Sequence, residues 1–246
     1  MGFGLRWYNT VSTSADGNLN LSDVSKPPRI VGPLSIYGIL AMSGIIGPVV
    51  FIAANAIAAF SVKGYDPLRN SISSLAWTPM GWLQSIGFLT IGLLVELFAA
   101  GLFFSIRGGR GFGIGIGLLV CVGFGLLLIG AFREDLDGAS RTIQGAIHTA
   151  TAAAVFSIFP LASLLIALSI RKDSNWRGLF NYTIIATCLA VGFVVGYLWL
   201  MPQLHWVGLY ERILVANTVV WIEIMAIRLL VLSLSFKARL ERPHIF

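Results

Sequence analysis

The side chains able to do acid–base or nucleophilic chemistry in this chain gather in three short segments. The first reads Tyr65-Asp66-Pro67-Leu68-Arg69-Asn70-Ser71-Ile72-Ser73-Ser74-Leu75. The second reads Arg133-Glu134-Asp135-Leu136-Asp137-Gly138, continues through Arg141-Thr142 and reaches His148. The third holds His205, Trp206, Tyr210, Glu211 and Arg212. A hydroxyl, an imidazole and a carboxylate brought together supply a nucleophile, a base and an orienting group. Ser71 or Ser73, His148, and Asp135 or Asp137 are therefore the candidate catalytic set. Asp66, Arg69, Ser73, Glu211 and Arg212 are the candidate binding set, the two guanidinium groups being suited to an anionic head group. No nucleophile-elbow motif surrounds either serine. The competing reading is that these charges are solvated or locally paired, each exposed pair contributing about 0–1 kcal/mol.

The donor inventory argues against a metal. Zinc needs three or four suitably spaced ligands, and His148 and His205 are the only histidines in these segments, His244 lying near the chain end. No zinc or other cofactor is expected, and haem lacks a second axial histidine. Cys121 and Cys188 fall inside apolar stretches without metal-type spacing, which predicts small core residues.

The elements that must position these groups are six long apolar stretches, at about 33–61, 82–106, 112–132, 146–170, 179–201 and 213–236. About 20 apolar residues cross a bilayer as a helix. Hydrophobic residues make up 57% of the chain and charged ones 11%, too few charges to clothe a water-soluble fold. The expected fold is one all-α bundle of six transmembrane helices, with a polar N-terminal arm (1–32) broken at Lys26-Pro27-Pro28 and a basic tail (237–246). With six spans both ends lie on one side, which collects eleven Lys and Arg against five on the other. The positive-inside bias puts both termini in the cytoplasm and the three reactive segments outside. The positive charge is then a topology signal, and no nucleic-acid partner is expected.

Several local features refine this picture. Asp66 before Pro67 predicts a short interfacial helix, capped by the carboxylate, with Arg69 and Ser73 one turn apart on one face. Trp77 and Trp82 suit the head-group level. The run from Gly108 to Gly117, with Gly123, Gly125 and Gly130, predicts close helix packing; no strand precedes it, so a nucleotide loop does not fit. Pro160 is the expected kink.

Three ionisable groups fall inside spans: Glu96, Glu223 and Arg228. Charges at that depth are paired or functional. Counted from the expected span starts, Glu96 and Arg228 lie at similar depths, roughly 21–23 Å at 1.5 Å per residue, so an interhelical ion pair is expected. Glu96 and Glu223 also offer a proton path.

Tyr65-Asp66-Pro67 with Ser71 to Leu75, the Gly81-to-Gly92 entry into span two, Gly130 with Phe132, Asp135 and His148, and Gly208-Leu209-Tyr210-Glu211-Arg212 resemble the membrane-protein family known as domain of unknown function 998. The resemblance covers about residues 34–236. It implies a six-helix fold in a prokaryotic plasma membrane and carries no settled activity, cofactor or catalytic residue. A fainter similarity is to membrane hydrolases that use Ser, Asp and several His at one membrane face, but the closely spaced histidine pair near their end is missing here. Three functions follow as expectations. In order, they are a membrane protein that binds lipid or a membrane partner, an outward-facing hydrolase-like enzyme on an amphiphile with His148 as acid–base group, and a proton-coupled carrier using Glu96 and Glu223.

Overall fold

The computed structural model describes residues 36–109, 111–136, 138–200 and 206–240. The N-terminal arm, Asp137, His205 and the end of the basic tail lie outside the described residues. Six helices follow one another: α1 (Ile36–Phe60), α2 (Gly81–Ser105), α3 (Phe112–Ala131), α4 (Ile143–Ile170), α5 (Phe180–Leu200) and α6 (Val207–Leu240). All six contain stretches long and apolar enough to cross a bilayer. Only α6 departs much from its expected bounds, starting earlier at Val207 and running into the basic tail.

Each helix packs on the next in sequence, and α6 returns to α1, so the six close into a ring. Lipid tails are as apolar as leucine, so close backbone approach must hold such helices together. Among the helix glycines, the closest approach to a neighbouring α-helix's backbone joins α2 and α3. A Cβ added at Gly92 would lie 2.8 Å from the Gly123 carbonyl oxygen and 2.9 Å from the Leu127 nitrogen. On the other side of α3, Gly115 abuts Leu165 and Gly125 abuts Val155 of α4. Gly113 and Gly117 meet nothing within 4 Å. The glycine run thus makes α3 the narrow partition between two neighbours.

Some expectations change. Pro160 lies inside α4 as foreseen, but Pro48 lies inside α1 as well. Cys121 and Cys188 are exposed on the bundle surface instead of filling its core; for a chain solvated by hydrocarbon, an outward thiol costs little. The short helix at Asp66 is replaced by a single turn, 66–70, and a separate 3-10 helix, Ser73–Trp77. Ser73 is buried while the Arg69 side chain is 73% exposed, so they do not share a face.

The expected Glu96–Arg228 pair is not formed. Glu96 lies against Gly123 on the α2–α3 side, whereas the Arg228 guanidinium donates to the carbonyl oxygen of Asn175 in the α4–α5 connection. The early start of α6 explains this. Arg228 lies 21 residues past Val207, about 31 Å along the helix at 1.5 Å per residue, level with the connections at that end. Those connections are tied by buried Asp173, whose carboxylate accepts the Arg107 and Asn175 backbone N–H groups at 2.9 and 2.8 Å.

The packing at Gly92 is open to direct test. Gly92→Ala forces backbone apart and should cost about 1–3 kcal/mol, as overpacking does. Gly113→Ala enters open space and should be tolerated. Thermal melts of the two purified variants in one detergent will separate them; equal melting would refute the close α2–α3 approach.

Candidate functional site

One end of the bundle carries the three reactive segments, here called the polar-loop end. The 65–78 segment lies across it, stitched to α6, to α4 and to the α3–α4 connection by hydrogen bonds. Arg212, on the first turns of α6, donates to the carbonyl oxygens of Pro67 (2.8 Å), Asn70 (2.9 Å) and Gly208 (2.9 Å). It also donates to the Tyr65 hydroxyl at 2.5 Å and lies over the Tyr65 ring. Burial pushes the Tyr65 phenol above its ordinary value, against the opposing pull of Arg212. The turn sits so close to α6 that a Cβ at Gly208 would come within 2.1 Å of the Asn70 oxygen. Only glycine fits there.

Glu211 and Glu134 secure the next stretch. The Glu211 carboxylate accepts the Ile72 N–H at 2.8 Å, and the Glu134 carboxylate accepts the Ser71 hydroxyl at 2.5 Å. Ser71 Oγ also accepts the Ser74 N–H. Trp77 donates to the Glu134 carbonyl and carries Arg133 over its ring. Trp77, Trp82 and Trp206 are all exposed at this end, as an interfacial aromatic belt requires.

His148 and Ser73 form the centre of the arrangement. Both are buried. His148 Nδ1 lies 2.8 Å from the Phe132 carbonyl oxygen, and Nε2 lies 3.1 Å from Ser73 Oγ. A carbonyl only accepts, so Nδ1 carries the proton. In the neutral ring Nε2 is then a bare acceptor, and the Ser73 hydroxyl donates to it.

Beneath this pair lies a cavity with about 50 Å³ of room for the centres of water-sized groups. Its polar end is marked by Ser73 and Glu211, and its walls by Phe51, Phe88, Val122 and Phe159. It reaches Ile222, 11 residues below Glu211, or about 16 Å at 1.5 Å per residue. So small a volume spread over that depth makes a slot. Two of its wall residues on α4 and α6, Phe156 and Val215, are only half-buried. Deeper in the bundle, Phe159 of α4 packs edge to face on Trp221 of α6, with ring centroids 5.5 Å apart.

The sequence-derived candidates therefore divide. Ser73 and Glu211 line the slot, and His148 stands behind Ser73 through their hydrogen bond. Ser71 is next to it but bonded to Glu134. Asp135 does not orient His148: its carboxylate accepts the Thr142 hydroxyl and N–H at 2.7 and 2.9 Å, while Thr142 Oγ1 caps the Gly145 N–H of α4. Asp66 caps the Leu68 N–H and pairs with exposed Arg69 at 3.5 Å. Arg212 spends its two terminal nitrogens on three carbonyls and the Tyr65 hydroxyl. Asp137 lies outside the described residues. Three participants escaped the sequence reading: the Phe132 carbonyl, Glu134 and Gln84. Gln84 is 1% exposed, and neither polar atom of its amide has a partner among the described residues. No group of three potential metal ligands occurs among the described residues.

The capping role of Asp135 makes a pH prediction. Hydrogen bonds from the Thr142 hydroxyl and N–H hold its carboxyl below the ordinary 3.8. A depressed folded value means stabilisation that is present above the ordinary value and lost as pH falls through the folded one. Asp135→Asn should therefore melt lower than the parent near neutrality and converge with it in acid. Thr142→Ala should cost about 1 kcal/mol, as loss of an N-cap does. Melting curves taken from neutral to acidic pH read both effects.

No curated protein and no solved structure matches this chain. A family model does match, over residues 45–228, and its description is Protein of unknown function (DUF998). The ring of six helices and the positions of its polar segments thus belong to a member of that family, and the chain is a DUF998 protein.

Proposed function

We propose that this protein binds a single-chain amphiphile, taking the apolar tail into the slot and holding the polar head beside Ser73, His148 and Glu211. The observation that carries this reading is the slot itself. Its walls are almost wholly carbon, and its polar side chains are Ser73, Glu211 and Thr218. Ligand sites characteristically combine apolar walls with a few placed polar groups. The exposed indoles at the same end match the level where an amphiphile's head would ride. The partner is a membrane lipid or a related amphiphile drawn from the surrounding bilayer.

We further propose that the polar-loop end faces away from the cytoplasm and that the protein works in the plasma membrane. Eleven cationic residues assigned to the side of the termini against five opposite support that orientation. A carrier reading through Glu96 and Glu223 gains no support from the slot, since neither residue lines it.

Two measurements test these proposals. Hexadecylphosphocholine should be retained by the purified chain in native mass spectrometry, and Val122→Trp, which fills the slot, should weaken retention about ten-fold or more. Ten-fold is about 1.4 kcal/mol, the burial of roughly two methylenes at about 0.8 kcal/mol each. Equal retention by both proteins would sink the binding site. For orientation, a periplasmic phosphatase reporter inserted after Gly138 should be active and one after Lys172 silent; the reverse pattern overturns it.

A further inference from the structure

The Ser73–His148 contact has the geometry of a nucleophile and its base. Nδ1 is fixed as a donor by the Phe132 carbonyl, which leaves the Nε2 lone pair aimed at the Ser73 hydroxyl. Ser71, by contrast, spends its hydroxyl on Glu134 and accepts the Ser74 N–H. Ser73 lines the slot and His148 stands one turn outward of Ala152, another lining residue, on the same face of α4.

Gln84 supplies a third, independent observation. It stands four residues before Phe88 and seven before Ile91, and both of these line the slot. At that spacing the three share one face of α2. An amide 1% exposed with no partner among the described residues is costly to leave unmade. A carbonyl oxygen arriving at the polar end of the slot would give its N–H a partner.

We propose that Ser73 and His148 cleave the carboxylic ester of a single-chain amphiphile seated in the slot, with Gln84 holding the carbonyl oxygen. This rests on the amphiphile-binding reading above. The acyl tail occupies the slot and the alcohol portion points to the polar-loop end. Ser73 Oγ attacks the carbonyl carbon and gives its proton to His148 Nε2. The ester C–O bond breaks, and the departing alcohol takes that proton. Water then adds to the acyl carbon, passing a proton to Nε2; the acyl–Oγ bond breaks and Ser73 recovers its proton from His148. The sum is ester plus water giving acid plus alcohol. In place of a carboxylate, the Phe132 carbonyl holds the tautomer, while Gln84 aims a dipole at the developing oxyanion.

The test uses the full chain in detergent with a hexadecyl fluorophosphonate, read by intact mass and peptide mapping, beside retention of hexadecylphosphocholine, which carries no carboxylic ester. A single adduct on Ser73 is expected. Ser73→Ala should abolish it, and His148→Gln should slow it about a hundred-fold or more. Gln84→Leu should slow it about a hundred-fold while raising the melting temperature, a combination that a purely structural glutamine would not produce. Ser157→Ala, on the exposed side of α4, should label like the parent. Retention of hexadecylphosphocholine without a Ser73 adduct overturns the catalytic proposal and leaves the binding site standing. An adduct on another residue, or one indifferent to His148→Gln, also overturns it. Loss of both retention and labelling overturns both readings.

Discussion

Hydrogen-bond satisfaction at the start of α6 is the constraint on which this architecture depends. The 65–78 segment is irregular backbone held against helix ends, where an unpaired N–H or carbonyl is expensive. Arg212 meets three carbonyls and the Tyr65 hydroxyl, and Glu211 meets the Ile72 N–H. Those two side chains, with Glu134 on Ser71 and Trp77 on the Glu134 carbonyl, fix the segment across the ring and so set Ser73 beside His148. Charges that look like ligand hooks in the primary structure are the fastenings of the molecule.

That difference explains what the sequence could and could not reveal. Helices α1 to α5 were legible because hydropathy alone sets their bounds in lipid. The start of α6 was not, because Tyr210, Glu211 and Arg212 read as a solvated loop until their partners are known. The same misreading displaced Arg228 in depth and produced an ion pair with Glu96 that the fold does not make. Ser73 and His148 were recognisable by residue type, but their choice over Ser71 and Asp135 depends on contacts spanning 75 and 16 residues. Gln84 carried no signal at all. A glutamine one turn into a membrane helix looks ordinary until its neighbours prove unable to bond it.

The two ends of the ring are secured by different means. At the polar-loop end, side chains from α6, α4 and the α3–α4 connection reach a single crossing segment. At the other, buried Asp173 gathers the Arg107 and Asn175 N–H groups, Trp176 bonds Ser105, and Arg228 reaches Asn175. Both ends are thus held by charged or polar groups paired with backbone. The middle combines close backbone approach, as where Gly92 meets Gly123, with two interhelical hydrogen bonds on α5, Ser163 to Thr187 and Asn217 to the Ala186 carbonyl.

The bare-backbone contact between α2 and α3 has a mechanical corollary. Two helices already at van der Waals distance cannot draw closer, and moving them apart forfeits their strongest cohesion. Any widening of the slot must therefore come from its other walls, where Phe156 and Val215 are only half-buried. Phe88, Ile91, Val122 and Leu126 stand on that locked helix pair, so they form the fixed wall against which any occupant of the slot must fit.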